Sequence, residues 1–274
     1  MSIWDNIYFW RKPPEKTIIP YKPGYDPSMN PIKPSNKNNV SNIWQDLKPI
    51  DLTKIHPVAF PSNKYFHEVY DKTQIVLHHT ISGDGIDGDI STWEHDPANV
   101  AVCILIDRAG IPWQLFSSKF WAYHLGAGNH WLDRHSIAIE IDNWGWLQPG
   151  DGKVQYFNNP PKPIQTQVGK YYAYYGNVVN ADMQNYPSKF RGYNYFEKYT
   201  MAQIRTVGEL LLYWNKMYNI PLTYKPEMWD VSTDALAGKS GVWTHVSYRP
   251  INQKSDCHPQ PELIEMLQTL DRIK

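Results

Sequence analysis

Hydrophobic positions along this chain follow two periods, and the change between them sets out the predicted elements. The first strong run is Thr73-Gln74-Ile75-Val76-Leu77-His78-His79-Thr80, apolar and β-branched until it stops on two imidazoles and a hydroxyl. Such a run predicts a strand that presents its last side chains at a sheet edge with little positional freedom. Val100 to Asp107 is nearly continuous in apolar residues and turns at Arg108-Ala109-Gly110 into Ile111-Pro112-Trp113-Gln114-Leu115, a hairpin pattern. Ser136-Ile137-Ala138-Ile139-Glu140-Ile141 alternates, with the isoleucines on one face and Ala138 and Glu140 on the other. A carboxylate is thereby placed within a core strand.

From Thr200 the period becomes helical. Ile204, Val207, Leu211, Trp214 and Tyr218 share one stripe behind a capping Thr200, and Pro221 closes the run. A last helix begins at Pro261, a favoured first helical position, and turns Leu263, Met266, Leu267 and Leu270 inward. Strands mixed with two covering helices predict an α/β (α+β) domain with a mixed central β-sheet.

Two stretches break the pattern. Residues 1–65 form an arm rich in proline, from Pro13 to Pro61, with an asparagine patch over Asn36 to Asn39. Proline fixes φ and removes donors, so the arm is extended or irregular. Trp4, Tyr8, Phe9, Trp10, Tyr21, Tyr25 and Trp44 give it apolar handles with which to pack in part on the body, and a short helix over Ser41 to Leu47, capped by Ser41, is expected. Residues 66–274 form the body. Within it, Ser82 to Asp89 reads as a mobile rim loop, because it lacks the spacing and terminal glutamate of a calcium loop. Gly150 to Tyr199 shows no period and reads as a long tyrosine-rich loop insertion with one hairpin.

Composition narrows the partners. Lysine plus arginine and aspartate plus glutamate both number 27, so no net field favours nucleic acid or an anionic membrane. No apolar run approaches the roughly 20 residues of a membrane span, and the start lacks a signal-peptide pattern. The expectation is a cytoplasmically made protein that reaches any extracellular target by another route. Aromatics make up 14% of the chain, with 12 Trp and 19 Tyr, which suits a ligand-gripping groove or an aromatic core equally. Cys103 and Cys257 are too few and too far apart to form a disulfide scaffold.

The candidate chemistry begins at His78 and needs partners from elsewhere. Val242-Trp243-Thr244-His245-Val246-Ser247 supplies a second imidazole, and Lys254-Ser255-Asp256-Cys257-His258-Pro259 supplies a carboxylate and a thiol shortly before the last helix. Two histidines with one aspartate or cysteine make an open, catalytic type of zinc site. His67-Glu68 followed by Asp71 lacks the second histidine of a metalloprotease motif. Taken alone, Glu140 reads as a buried carboxylate paired with an arginine such as Arg134, and Lys254 as a solvated loop charge. Trp121, Tyr123 and Trp144 taken alone read as packing residues.

Taken together and in order, these segments resemble the zinc-dependent N-acetylmuramoyl-L-alanine amidases, a superfamily that includes T7-type lysozymes and peptidoglycan recognition proteins. The resemblance runs from about Thr73 to the C-terminus. It rests on Ile75-Val76-Leu77-His78-His79-Thr80, Ile104-Leu105-Ile106-Asp107-Arg108-Ala109-Gly110, Trp121-Ala122-Tyr123-His124-Leu125-Gly126, Ser136-Ile137-Ala138-Ile139-Glu140, and His245 with Lys254-Ser255-Asp256. It implies that His78, His245 and Asp256 ligate Zn2+, with Cys257 as a competing third ligand, and that Glu140 and Lys254 are catalytic. Lys254 stands two positions before Asp256, the family's spacing between lysine and ligand. It further implies that His79, His124, Trp121, Tyr123 and Asn143 meet substrate. Three departures stand out: Cys257-His258-Pro259 replaces the usual Pro-Gly, Ser247 replaces an aspartate, and Val102 replaces a tyrosine.

The function so implied is hydrolysis of the amide between N-acetylmuramic acid and L-alanine in peptidoglycan, by a monomeric, endolysin-like bacteriolytic enzyme. It would reach the wall through a separate pore or by lysis. Two other readings compete: a non-catalytic peptidoglycan-binding module on the same fold, and a cysteine hydrolase using Cys257 or Cys103.

Overall fold

The computed structural model describes residues 42–83, 85–158, 160–250 and 253–272. The aromatic handles from Trp4 to Tyr25, the asparagine patch and the capping Ser41 lie outside the described residues. In place of a short helix over Ser41 to Leu47 there is a 3-10 turn, Asn42–Trp44. Trp44, Leu47 and Ile50 are buried behind it, and the Ile50 N–H donates to the Glu209 carbonyl at 3.0 Å.

Along the chain run β1 (His56–Pro57), which lies in the arm, then β2 (Gln74–His79), α1 (Asp87–His95), β3 (Ile104–Ile106), β4 (Pro112–Gln114), α2 (His130–His135) and β5 (Ser136–Ile141). Next come β6 (Trp146–Pro149), β7 (Val154–Phe157), β8 (Lys162–Gln165), β9 (Tyr171–Tyr172), β10 (Val178–Val179), β11 (Met183–Phe190) and β12 (Tyr193–Glu197). The chain closes with α3 (Met201–Tyr218), α4 (Thr233–Leu236), β13 (Gly241–Thr244) and α5 (Pro261–Arg272).

The central sheet is mixed, in the order β1-β4-β3-β5-β2-β13. The β3–β4 hairpin is antiparallel, whereas β3, β5, β2 and β13 are parallel to one another. Strands buried on both faces need apolar residues throughout, and every residue of β2, β5 and β13 is buried. The turn between β3 and β4 holds Gly110 at φ +82°, where a Cβ would stand 2.7 Å from the backbone of Ala202. Only glycine lets this hairpin approach the start of α3 so closely.

Helix α3 follows the predicted stripe. Thr200 accepts the Gln203 N–H at 3.1 Å while the Gln203 side chain accepts the Thr200 N–H at 2.9 Å, a complete capping box. Ile204, Val207, Leu211 and Trp214 are buried, with Leu47 and Met266 pressed against Gly208. In α5, Leu263, Met266, Leu267 and Leu270 are buried as expected.

Two expectations change. Asp87 to Asp89 belong to the first turn of α1, and the Ser82 hydroxyl donates to Asp89 at 3.0 Å. Acidic residues in a first turn favour the helix dipole, so the Gly/Asp composition hid a helix start. The stretch from Gly150 to Tyr199 is built of strands rather than loop. Most of them join β6 in a sheet ordered β10-β9-β6-β12-β11, and β7 pairs with β8. It has a small core of its own around Leu147, Ala173 and Val179, and Trp146 stacks on Tyr193 at 4.2 Å. Period two cannot be read from strands as short as β9 and β10. Arg108 ties this sheet to the central one, with nitrogens 3.0 Å from Glu197 and 2.6 Å from Asp142.

Replacing Thr200 by alanine removes half of the capping box. Stability is expected to fall by about 1 kcal/mol, read as a lower urea midpoint with an unchanged slope.

Candidate active site

Three parallel strands end on one edge of the sheet, and each delivers a functional side chain there. His78 and Glu140 are register partners across β2 and β5, so their side chains share a face. Thr244 of β13 pairs with Leu77, which brings His245, the next residue, beside His78. The carboxyl ends of parallel strands are where open α/β sheets build their sites.

His78 Nδ1 and His245 Nδ1 stand 2.9 Å apart, and Asp256 Oδ2 lies 2.9 Å from His245 Nδ1 and 3.4 Å from His78 Nδ1. All three residues are buried, and their donor atoms are spaced to hold a metal ion. His245 Nε2–H donates to the Leu125 carbonyl at 3.0 Å, which leaves its Nδ1 lone pair facing the centre. Burial holds the His78 imidazole below its ordinary value and takes His245 down to about 3. Both are neutral at physiological pH and able to ligate. Burial opposes the charge of Asp256, yet His245 and Lys254 hold it well below the usual carboxylate range.

Glu140 faces the same cavity, of roughly 290 Å³, which is also lined by Asp89, Tyr175 and Lys254. Burial, then the neighbouring carboxylates of Asp256 and Asp89, hold Glu140 well above the ordinary range, while Lys254 pulls the other way. Burial lowers Lys254 in turn, with Asp256 and Glu140 opposing it. A carboxyl group raised in this way is suited to proton transfer rather than held as a permanent carboxylate. Arg134, the alternative partner considered for Glu140, lies over the rings of Tyr70 and Trp121 instead.

The remaining site residues separate. Alternation along β2 turns His79 to the opposite face from His78, where Nδ1 meets the Tyr199 hydroxyl at 2.7 Å. Cys257 lies on that side too, fully buried and hydrogen-bonded to Tyr199, outside the donor triangle. Trp121 stacks on Phe66 at 4.0 Å and donates to Glu68, so its ring belongs to the packing. Tyr123 sits edge-on to both of those rings. Asn143 is buried and donates to the Glu197 carbonyl at 3.3 Å, bracing the end of β5. His124 is buried with one ring nitrogen 3.0 Å from His78 and the other 2.7 Å from Ser136, which occupies the atoms expected to meet substrate. Sequence reasoning missed Leu125, Ser136, Asp89 and Tyr175. A backbone carbonyl and a strand-initial serine leave no spacing signal, and the last two sit in stretches without a clear period.

Both thiols are buried, and burial pushes Cys103 up to about 12 and Cys257 well above its ordinary value. Neither offers the accessible thiolate that a cysteine hydrolase requires.

A family model described as N-acetylmuramoyl-L-alanine amidase matches residues 69–260. Among solved structures, the chain is similar to the endolysin N-acetylmuramoyl-L-alanine amidase LysCS from Clostridium intestinale URNW. That match has 13% identity and a TM-score of 0.42, over 80% of this chain and 96% of that one. It is also similar to the Staphylococcus aureus hydrolase AmiA in complex with its ligand, at 16% identity and a TM-score of 0.43, over 92% and 94%. The PlyG catalytic domain matches at 15% identity and a TM-score of 0.44, over 79% and 94%. A comparison with curated proteins gave no match.

Two measurements follow from these environments. Iodoacetamide at about pH 8 is expected to leave both thiols of the native protein unmodified by mass spectrometry; labelling of the folded chain would revive the cysteine reading. Asp89 is pushed up to about 7 by burial and by Asp142 beside it. Its proton is kept in the folded chain and released in the unfolded one, so its contribution to stability is full below about pH 4 and lost as pH rises through about 7. Asp89→Asn should therefore gain stability relative to the parent across that window, and parallel urea-melt profiles would show that Asp89 is ionised throughout.

Proposed function

The chain belongs to the N-acetylmuramoyl-L-alanine amidase family, and on that premise we propose that His78, His245 and Asp256 hold a zinc ion used with Glu140 and Lys254 to hydrolyse peptidoglycan. The bond cut is the amide between the lactyl group of N-acetylmuramic acid and L-alanine.

The donor set fits the metal. An ionised carboxylate and two imidazole nitrogens converge at separations of 2.9, 2.9 and 3.4 Å. Tetrahedral zinc with bonds of about 2.0–2.1 Å spaces its ligands by about 3.3 Å. Three electron-pair donors facing one another in a buried pocket repel unless a cation sits among them. Three protein ligands also leave a coordination position free, as catalytic sites require.

Zinc bound there supplies a Lewis acid that polarises the amide carbonyl and makes water a competent nucleophile near neutral pH. Glu140, fixed beside His78 by strand register, takes the proton from the attacking water and passes it to the departing nitrogen. Lys254 stabilises the oxyanion as the carbonyl carbon becomes tetrahedral, worth about 3 kcal/mol for one such donor. Tyr175 and Asp89 line the cavity beside these groups and bound the space for the stem peptide.

The observation that carries this reading is Glu140 beside a complete His78, His245 and Asp256 triangle, which favours turnover over a binding-only module. One chain supplies every donor of the triangle. Among the described residues no helix is long and apolar enough to cross a membrane.

Purified protein is expected to release new L-alanine amino termini from muramyl peptides and to lose that activity when zinc is stripped by a chelator. Glu140→Gln should keep its zinc by metal analysis while turnover falls by about 10²- to 10⁴-fold. Full activity in the stripped protein would sink the zinc mechanism.

A further inference from the structure

Both proposed imidazole ligands are oriented from a single dipeptide. Asp133, buried in α2, accepts the backbone N–H of His124 and of Leu125 on one carboxylate oxygen, each at 3.0 Å. Each half of the pinned dipeptide then meets one ligand. The Leu125 carbonyl lies 3.0 Å from His245 Nε2, and His124 Nδ1 lies 3.0 Å from His78 Nε2. A carbonyl can only accept, so His245 carries its proton on Nε2.

For His78 the assignment passes through three groups. The Ser136 hydroxyl donates to the Leu132 carbonyl at 2.6 Å, so its oxygen meets His124 Nε2, at 2.7 Å, as an acceptor. His124 therefore carries its proton on Nε2 and, as a neutral ring in a buried setting, leaves Nδ1 bare. A bare Nδ1 at 3.0 Å requires a proton on His78 Nε2.

We infer that Ser136 and His124 form a hydrogen-bond relay that fixes the tautomer of His78, turning its Nδ1 lone pair toward the ligand triangle before any metal arrives. His124 is thus a positioning residue, and the link to zinc rests on the site proposed above.

The test uses the full chain stripped of metal, with imidazole tautomers read from long-range proton–nitrogen correlation spectra and zinc affinity from chelator competition. The parent should show His78 as the Nε2–H tautomer alone. Ser136→Ala should mix the His78 tautomers and weaken zinc about 10-fold or more. His124→Asn keeps an acceptor oxygen near the Nδ1 position and should bind zinc within a few fold of the parent, whereas His124→Leu should lose about 10- to 100-fold. Thermal midpoints of the metal-free variants separate these effects from loss of fold. The relay is overturned by an Nδ1–H tautomer at His78, by parent-like affinity in His124→Leu, or by equal losses in the asparagine and leucine variants. A parent that binds no zinc would remove the metal reading instead, while the tautomer spectra would still decide the relay.

Discussion

Asp256 keeps its charge in a pocket with little water, and a buried carboxylate is costly unless opposite charge or donors stand close by. Lys254 supplies one such charge, whereas the two imidazole lone pairs that face the carboxylate add none, so the pocket calls for a cation. This requirement shapes the rest of the site. Glu140 shares the cavity with Asp256 and Asp89, so it holds its proton until a cation balances the carboxylates. The same burial that makes the charges expensive keeps both imidazoles unprotonated and available as ligands.

The sheet converts that requirement into geometry. Parallel pairing of β13, β2 and β5 places His245, His78 and Glu140 at matching heights on one edge, although they lie far apart in sequence. Arg108 fastens the second sheet to the first through Glu197 and Asp142, so Tyr175 reaches the cavity from a braced element. The tyrosines of that second sheet are spent largely on neighbouring aromatic rings, as the stacked Trp146–Tyr193 and edge-on Tyr171–Tyr195 pairs show.

The parts of this molecule that could be read from sequence are those where one physical signal dominates. β2 and β5 are unbroken buried runs, and α3 declares itself through Thr200 and a continuous stripe. Helix α1 and the strands from β6 to β12 carry mixed signals: acidic and glycine residues in the first, short half-exposed segments in the second. Within the site, spacing identified the residues that carry charge or ligate. It could not show what holds them, because the Leu125 carbonyl, the Ser136 hydroxyl and the Asp133 anchor gain their roles only once the chain is folded. Trp121 and Asn143 show the converse: the resemblance implied substrate contact, and the fold engages them with Phe66 and Glu197.

Two adjacent histidines at the end of one strand also bear on how the chain finds its pairing. A slip of β2 by one residue against β5 would still offer an imidazole to the site, now from His79, so the chemistry alone does not reject the error. The apolar residues do. The same slip would carry Ile75 and Leu77 to the cavity face and send Val76 and His78 to the opposite face, and because both faces are close-packed neither accepts the change of side-chain volume. The native register is therefore enforced by greasy side chains that take no part in the reaction, and those residues determine which of two identical rings becomes the working one.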